Sequence, residues 1–183
     1  MDGPLGILQA MNTQSIIDTL RQHATSSRHP LHFGVMLGVG DGSSAVEILQ
    51  AFPRLFLHLI DPWADGFPDE EKYQSAIDAT ENYVTASRCW IRRRTPESVA
   101  GRYRGERLDL VLVNVPAVQH ALNLWWPHTL DGAILLGSQG FDQAVEFCTH
   151  GQGAMLESLI PSNGGEKLWW IVKQPMPVNS ATQ

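Results

Sequence analysis

The 183-residue sequence has few cysteines and no long hydrophobic segment. Its two cysteines, Cys89 and Cys148, are far apart and form no zinc or redox motif. This usage favours a reducing, cytoplasmic compartment. No run approaches about 18 apolar residues, so we expect no membrane-spanning helix. The N-terminus lacks the basic and apolar segments of a signal peptide, so none is expected.

Positive charge is also scarce. Lys and Arg number 13 against 19 Asp and Glu, giving a formal net charge of -6. Binding to nucleic acid is therefore not the default expectation. One basic cluster in residues 88–107 keeps an anionic partner, including RNA, as a minor alternative; it comprises Arg88, Arg92, Arg93, Arg94, Arg102, Arg104 and Arg107.

The length favours a single domain, which we divide into a leading helix (1–30), a core (31–173) and a tail (174–183). Strand and helix patterns alternate through most of the chain, and two strands then follow in succession. This order predicts an α/β fold with a mostly parallel sheet between helices and an antiparallel C-terminal hairpin. Predicted helices cover 11–24, 44–50, 70–87 and 117 to about 127, and 95–103 is predicted to be a short helix or turn. Predicted strands cover 31–37, 54–61, 88–94, 107–115, 131–138, 153–161 and 166–174.

Three glycines, Gly38, Gly40 and Gly42, follow the first predicted strand. Ser44 and Glu47 fit a capping box at the start of the next helix. Asp61 ends the second strand roughly 20 residues later, where an acid can accept hydrogen bonds from ribose hydroxyls. The pair indicates an adenosine-bearing cofactor. The spacing differs from the G-x-G-x-x-G of dinucleotide enzymes, so S-adenosylmethionine is favoured over an oxidoreductase cofactor. A tight turn that binds nothing is the other interpretation.

Four segments carry a family resemblance: LGVGDGSS (37–44), LIDPW (59–63), LNLWWPHTLDGAILLG (122–137) and LWWIVK (168–173). From about residue 31 to 173 the chain resembles class I S-adenosylmethionine-dependent methyltransferases, within a small bacterial family that has IDPW-like and WWP…GG segments. The resemblance implies a seven-stranded Rossmann-like fold and binding of S-adenosylmethionine.

The same resemblance implies roles for individual residues. The glycines would line the methionine portion of the cofactor, and a serine at the helix start would face its carboxylate. Asp61 would hold the ribose, and the next two residues would lie beside the adenine, with the RRTPE segment at its edge. The implied cofactor-binding residues are Gly38, Gly40, Gly42, Ser43 or Ser44, Asp61, Pro62, Trp63, and Thr95 or Glu97.

Three positions depart from the family pattern. Met36 stands where the family usually has an acid, and Asn114 replaces an acid of a loop associated with metal or catalysis, which is also shortened. After the fifth strand, Ser138 and Gln139 stand where the family has His or Asp. Because hard cations need clustered oxygen ligands, we predict no catalytic metal. The histidines form no zinc motif either.

Methyl transfer can proceed largely through alignment, since the sulfonium is already activated. His120 is a candidate general base, or else a histidine on a helix surface. Asn114 could orient the acceptor or simply cap a strand end, and Asp142 is a further acid nearby.

Adjacent tryptophans, at 125–126 on a helix and 169–170 on a strand, predict one buried and one partly exposed ring in each pair. An exposed ring would mark a homodimer surface or an aromatic acceptor pocket, and packing at the sheet edge is the favoured alternative. The function predicted overall is a metal-independent methyltransferase acting on a small-molecule oxygen or nitrogen. The alternative is a cofactor-binding or structural protein of this fold without transfer activity.

Overall fold

A computed structural model describes residues 13–27, 30–64, 69–103, 107–149, 154–159 and 167–175. Six helices and seven strands lie in these ranges. The helices are α1 (Thr13–Ser26), α2 (Ser43–Ala51), α3 (Asp69–Thr85), α4 (Pro96–Ala100), α5 (Val118–Trp125) and α6 (Phe141–Thr149). The strands are β1 (Phe33–Leu37), β2 (Phe56–Asp61), β3 (Cys89–Arg93), β4 (Leu108–Val113), β5 (Thr129–Gly137), β6 (Ala154–Leu159) and β7 (Leu168–Lys173).

The seven strands form one sheet in the order β3-β2-β1-β4-β5-β7-β6. Strands β1 to β5 are parallel, whereas β7 is antiparallel to both β5 and β6. This confirms the predicted Rossmann-like fold and its antiparallel C-terminal hairpin. The chain turns from one half of the sheet to the other at β1 and β4, so ligands are expected at the carboxyl edge there.

Apolar side chains cover both faces of the sheet, as expected for parallel strands between helices. On the first face α1, α2 and α3 pack against the sheet, with Leu20, Ile48 and Leu57 fully buried. On the second face α4, α5 and α6 pack against it, with Val111 and Trp125 fully buried. The two cores hold the carboxyl ends of the strands in fixed positions.

The start of α2 differs from the prediction. The helix begins at Ser43, and its N-cap is Gly42 in a left-handed conformation, without a side-chain cap from Ser44. The glycine turn lets the chain enter the helix one residue early, so Ser44 lies inside the helix and its Oγ is 3.0 Å from Oγ1 of Thr13 on α1. The predicted capping box is therefore wrong.

Two further elements separate prediction from structure. Helix α6 was not predicted. Its buried residues, Ala144 and Phe147, are spaced as on one face of a helix and pack against the second face of the sheet. The predicted hairpin strands are present, but the predicted turn at 162–165 lies outside the described residues, as does Met11 of the predicted first helix.

The tryptophan prediction is half right. On β7, Trp169 is fully buried and Trp170 is half-buried, as strand alternation predicts. Trp125 and Trp126, however, are both buried. Helix α5 ends at Trp125 and a 3-10 turn begins at Trp126, so the helical angle does not separate the two rings, and Trp126 packs edge-on against Phe147.

No helix among the described residues is long and apolar enough to cross a membrane.

Candidate functional site

The segment 38–42, here called the glycine loop, joins β1 to α2 at the carboxyl edge. All three of its glycines have positive φ, at 77° for Gly38, 63° for Gly40 and 84° for Gly42, a region that side chains disfavour. Packing also requires two of them. A Cβ on Gly38 would lie 2.0 Å from the carbonyl oxygen of Asn114, and one on Gly42 would lie 2.9 Å from the Cα of Ala76.

Gly40 is different. A Cβ built there would meet no heavy atom within 4 Å. Packing within the chain therefore does not explain a glycine at this position. Its left-handed backbone and the open space beside it are what a ligand needs to approach the main chain closely.

Asp61, the last residue of β2, holds the glycine loop. Its Oδ2 accepts hydrogen bonds from the backbone N–H groups of Val39, at 2.7 Å, and Gly40, at 3.2 Å. Its Oδ1 accepts one from the backbone N–H of Trp63 at 3.0 Å. An ionised carboxylate has about four acceptor positions, so one position on Oδ1 remains for a ligand hydroxyl.

Trp63 closes the loop from the other side. The backbone of Trp63 has a positive φ of 35°. The indole is buried, and its Nε1 donates to the carbonyl oxygen of Gly40 at 2.8 Å. Tyr73 packs on the indole, with ring centroids 5.1 Å apart. Arg93 fixes this turn, because its Nε donates to the Trp63 carbonyl at 3.0 Å and its guanidinium pairs with Glu70 at 2.7 Å. Pro62, by contrast, is exposed.

The start of α2 already has an anionic partner from the chain itself. Asp41 Oδ1 accepts from the backbone N–H of Ser43 at 3.0 Å and from its hydroxyl at 2.7 Å. These hydrogen bonds, the backbone one foremost, lower the pKa of the Asp41 carboxyl. A ligand carboxylate could reach Ser43 only by displacing Asp41, and Ser44 is engaged with Thr13.

A predicted catalytic residue and a predicted cofactor-binding residue meet between α4 and α5. His120 Nε2 on α5 lies 3.4 Å from Glu97 Oε1 on α4, and both side chains are exposed. Thr95 is the N-cap of α4, where its Oγ1 accepts from the backbone N–H of Ser98 at 3.4 Å. His120 is thus a surface histidine with a carboxylate partner.

The segments after β4 and β5 carry neutral groups. The Asn114 Nδ2 donates to the Gly38 carbonyl oxygen at 3.1 Å, and its Oδ1 accepts from Nε2 of Gln139 at 3.2 Å. The hydroxyl of Ser138 is buried without a hydrogen-bond partner. Asp142 is exposed on the first turn of α6. Within the described ranges, no three His, Cys, Asp or Glu side chains group as a metal site would require.

Two arginines of the basic cluster, Arg88 and Arg93, bind groups within the chain. The Arg88 guanidinium donates to the carbonyl oxygens of Leu49 and Phe52, at 2.8 Å each, so it ties helix α2 to the sheet. Arg93 is committed to Trp63 and Glu70. Arg104 lies outside the described residues.

A buried titratable group on β2 was not predicted. His58 is buried on the second face, where its Nδ1 hydrogen-bonds the Tyr103 hydroxyl and its ring stacks on Trp90 at 4.8 Å. Burial, with Arg92 nearby, lowers the pKa of His58 to about 4. The only signal in the sequence was that His58 is a polar residue between Leu57 and Leu59 in the segment that predicts β2.

Comparison with solved structures identifies the fold. A methyltransferase of Podospora anserina, solved with S-adenosylhomocysteine bound, is 13% identical, with a TM-score of 0.67 over 89% of this chain and 78% of that one. A precorrin-6y C5,15-methyltransferase of Geobacter metallireducens is 12% identical, with a TM-score of 0.63 over 91% and 93%. A Geobacter sulfurreducens methyltransferase is 13% identical, with a TM-score of 0.61 over 91% and 90%.

The chain therefore has the Rossmann-like fold of these methyltransferases. No family model and no curated protein sequence matches it.

Proposed function

We propose that this chain is a methyltransferase that uses S-adenosylmethionine as its methyl donor. The observation that carries the proposal is the open, left-handed Gly40 beside Asp61, a carboxylate with one acceptor position left. This combination lies at the carboxyl edge of a fold shared with methyltransferases, one of them solved with the demethylated cofactor. S-Adenosylmethionine supplies a methyl group already activated by its sulfonium.

The residues present fit such a cofactor. The glycine loop leaves room for its methionine portion at Gly40, and Asp61 Oδ1 can accept from a ribose hydroxyl. Ser43 and Ser44 lie where the start of α2 favours a carboxylate, once Asp41 turns aside. Pro62 and Trp63 border the adenine side, with Thr95 and Glu97 beyond them.

We further propose that transfer is metal-independent and that the acceptor is a small-molecule oxygen or nitrogen. The donor set supports this, because Asn114, Ser138 and Gln139 offer neutral oxygens that hard cations bind weakly. Arg88 and Arg93 already bind groups within the chain, which favours a small-molecule acceptor over nucleic acid. The proposed location is the cytoplasm.

His120 is the proposed general base, with the Glu97 carboxylate 3.4 Å from its Nε2. A positioned base typically contributes a factor of about 10²–10⁴ to the rate. His120→Ala should therefore lower kcat by about 10²-fold, while KM for S-adenosylmethionine stays the same. An unchanged kcat would return His120 to the role of a surface residue, and Asn123→Ala, at another exposed position of α5, serves as the matched control.

The test of function is a transfer assay. The protein is incubated with S-adenosylmethionine and a panel of small hydroxyl and amine acceptors, and release of S-adenosylhomocysteine is followed with and without EDTA. We expect acceptor-dependent release that EDTA leaves intact. Loss of turnover that magnesium restores would refute metal independence. Binding without transfer to any acceptor would favour the alternative of a cofactor-binding protein.

A homodimer is proposed at the outer edge of the sheet. Strand β3 is an edge strand, and beside it lies a cleft of about 450 Å³ with the exposed side chains of Trp90 and Val84. Glu81 and Arg92 also line it, so the patch carries both signs of charge. A two-fold interface needs such self-complementarity. Light scattering of the native protein and of Trp90→Glu, with the equally exposed Met155→Glu as control, tests it.

A further inference from the structure

Asn114 occupies the point where the two halves of the sheet meet. It follows β4, whose neighbour β1 leads directly into the glycine loop. Its backbone N–H donates to the carbonyl oxygen of Leu37 at 2.8 Å, which extends the β1–β4 pairing by one residue. The absence of a Cβ on Gly38 lets the two backbones touch there. The backbone of Asn114 is therefore in direct contact with the start of the glycine loop.

The side chain of Asn114 bridges two loops in a single defined orientation. Its Nδ2 donates to the Gly38 carbonyl oxygen, and its Oδ1 accepts from Gln139 Nε2. Gln139 is itself held, because its carbonyl oxygen accepts from the indole N–H of Trp169 on β7. Rotating the Asn114 amide by half a turn would oppose two oxygens at Gly38 and two N–H groups at Gln139.

We propose that Asn114 is a positioning residue that fixes the Gly38 carbonyl, and through it the glycine loop, against the turn after β5. This rests on the proposed function only in that the loop is taken to bind S-adenosylmethionine. Both ends of the amide have partners within the chain, so its role is to hold the loop rather than to take a proton from the acceptor. The Gly38 carbonyl oxygen sets the direction of the amide, because it can only accept a hydrogen bond.

This role separates an amide from a carboxylate. An ionised carboxylate at position 114 could still accept from Gln139, but its second oxygen would face the Gly38 carbonyl oxygen without a proton between them. Only the protonated acid could donate to Gly38. Since the hydrogen bond favours the neutral form, the pKa of the introduced carboxyl is raised in the folded protein.

The test is the affinity of Asn114→Asp for S-adenosylhomocysteine, measured by calorimetry from about pH 5 to about pH 8. We expect the affinity of the variant to fall by about tenfold or more across this range, relative to the native protein. Gln143→Glu is the matched control. Gln143 is another bridging amide of the same edge, which accepts from Gln119 N at 3.1 Å and donates to the Pro116 carbonyl at 3.2 Å, without touching the glycine loop.

An Asn114→Asp protein whose affinity follows that of the native protein at every pH would overturn the proposal, as would an equal fall in Gln143→Glu. A second readout separates this inference from the function. Unfolding by denaturant without ligand should show Asn114→Asp losing stability, relative to the native protein, as pH rises through the raised folded pKa. If the native protein binds no S-adenosylhomocysteine, the proposed function fails. The pH dependence of the stability of Asn114→Asp then decides the role of Asn114 by itself. A stability that does not fall with rising pH, relative to the native protein, overturns that role.

Discussion

The two halves of the carboxyl edge differ in charge. After β1 and β2 the edge carries two carboxylates, Asp41 and Asp61, and each accepts hydrogen bonds from nearby backbone N–H groups. After β4 and β5 the corresponding groups are an amide, a hydroxyl and a second amide, at Asn114, Ser138 and Gln139. One half is organised by ionised groups and the other by neutral ones.

The difference indicates what each half can do. The charged half has an open cradle at Gly40 and a free acceptor position, which suits a cationic sulfonium cofactor with ribose hydroxyls. These three residues of the neutral half offer a divalent cation only neutral oxygens and include no base, which supports the proposed metal independence. Catalysis in this account therefore depends on alignment by the chain, with the base coming from His120 on α5.

The sharpest test of the charged half compares two glycines. Gly40→Ala adds a methyl group where the chain leaves open space, so its stability should fall by only about 1–2 kcal/mol for the left-handed backbone. The same methyl fills the cradle, and we expect affinity for S-adenosylhomocysteine to fall on the order of 100-fold. Calorimetry and denaturant unfolding measure the two quantities.

Gly38→Ala is the control for that variant. Its Cβ would lie 2.0 Å from the Asn114 carbonyl oxygen, so we expect a much larger loss of folding stability than in Gly40→Ala. Native affinity in Gly40→Ala would show that the space beside Gly40 is not where the ligand binds.

Asp61→Ala is expected to have the next largest effect. It removes the acceptor of three backbone N–H groups and the proposed ribose contact, so binding of S-adenosylhomocysteine should weaken by about 1–3 kcal/mol. Asp41→Ala, in the glycine loop, should bind at least as well as the native protein, because it frees the N–H of Ser43. Equal affinities for the native protein and Asp61→Ala, measured by calorimetry, would remove the ribose assignment.

The last prediction concerns folding stability as a function of pH rather than ligand binding. In the unfolded chain His58 takes up a proton near its ordinary pKa of 6.5, whereas in the folded protein the pKa of His58 is about 4. The unfolded state thus binds more protons between these values, and stability should fall as pH drops through this window. Denaturant unfolding at several pH values should show a shallower slope in His58→Gln. An identical slope would place the acid sensitivity elsewhere.

Much of the fold could be predicted because its signals are local. Apolar runs marked β1, β2 and β4, and the closing strand pair marked the hairpin. Helix α6 was not predicted, although Ala144 and Phe147 have helical spacing. The start of α2 was misplaced because the left-handed Gly42 allows an entry that a capping pattern does not encode. Trp126 was misjudged because the helix ends just before it.

The candidate site was only partly predictable, for a different reason. Sequence spacing places Gly40 and Asp61 near each other, but not the contacts by which Asp61 holds the loop. The bridge from Asn114 to Gly38 and Gln139 joins residues distant in the chain. Nor does the sequence indicate that Asp41 occupies the helix start that a ligand carboxylate was expected to use.

The central claim is that the charged half binds a sulfonium cofactor, and the most direct measurement is calorimetric titration of the native protein with S-adenosylhomocysteine. The account predicts saturable binding with a Kd on the order of micromolar. No heat of binding at concentrations far above that range would contradict it, and would leave the glycine loop as a structural turn within a methyltransferase fold.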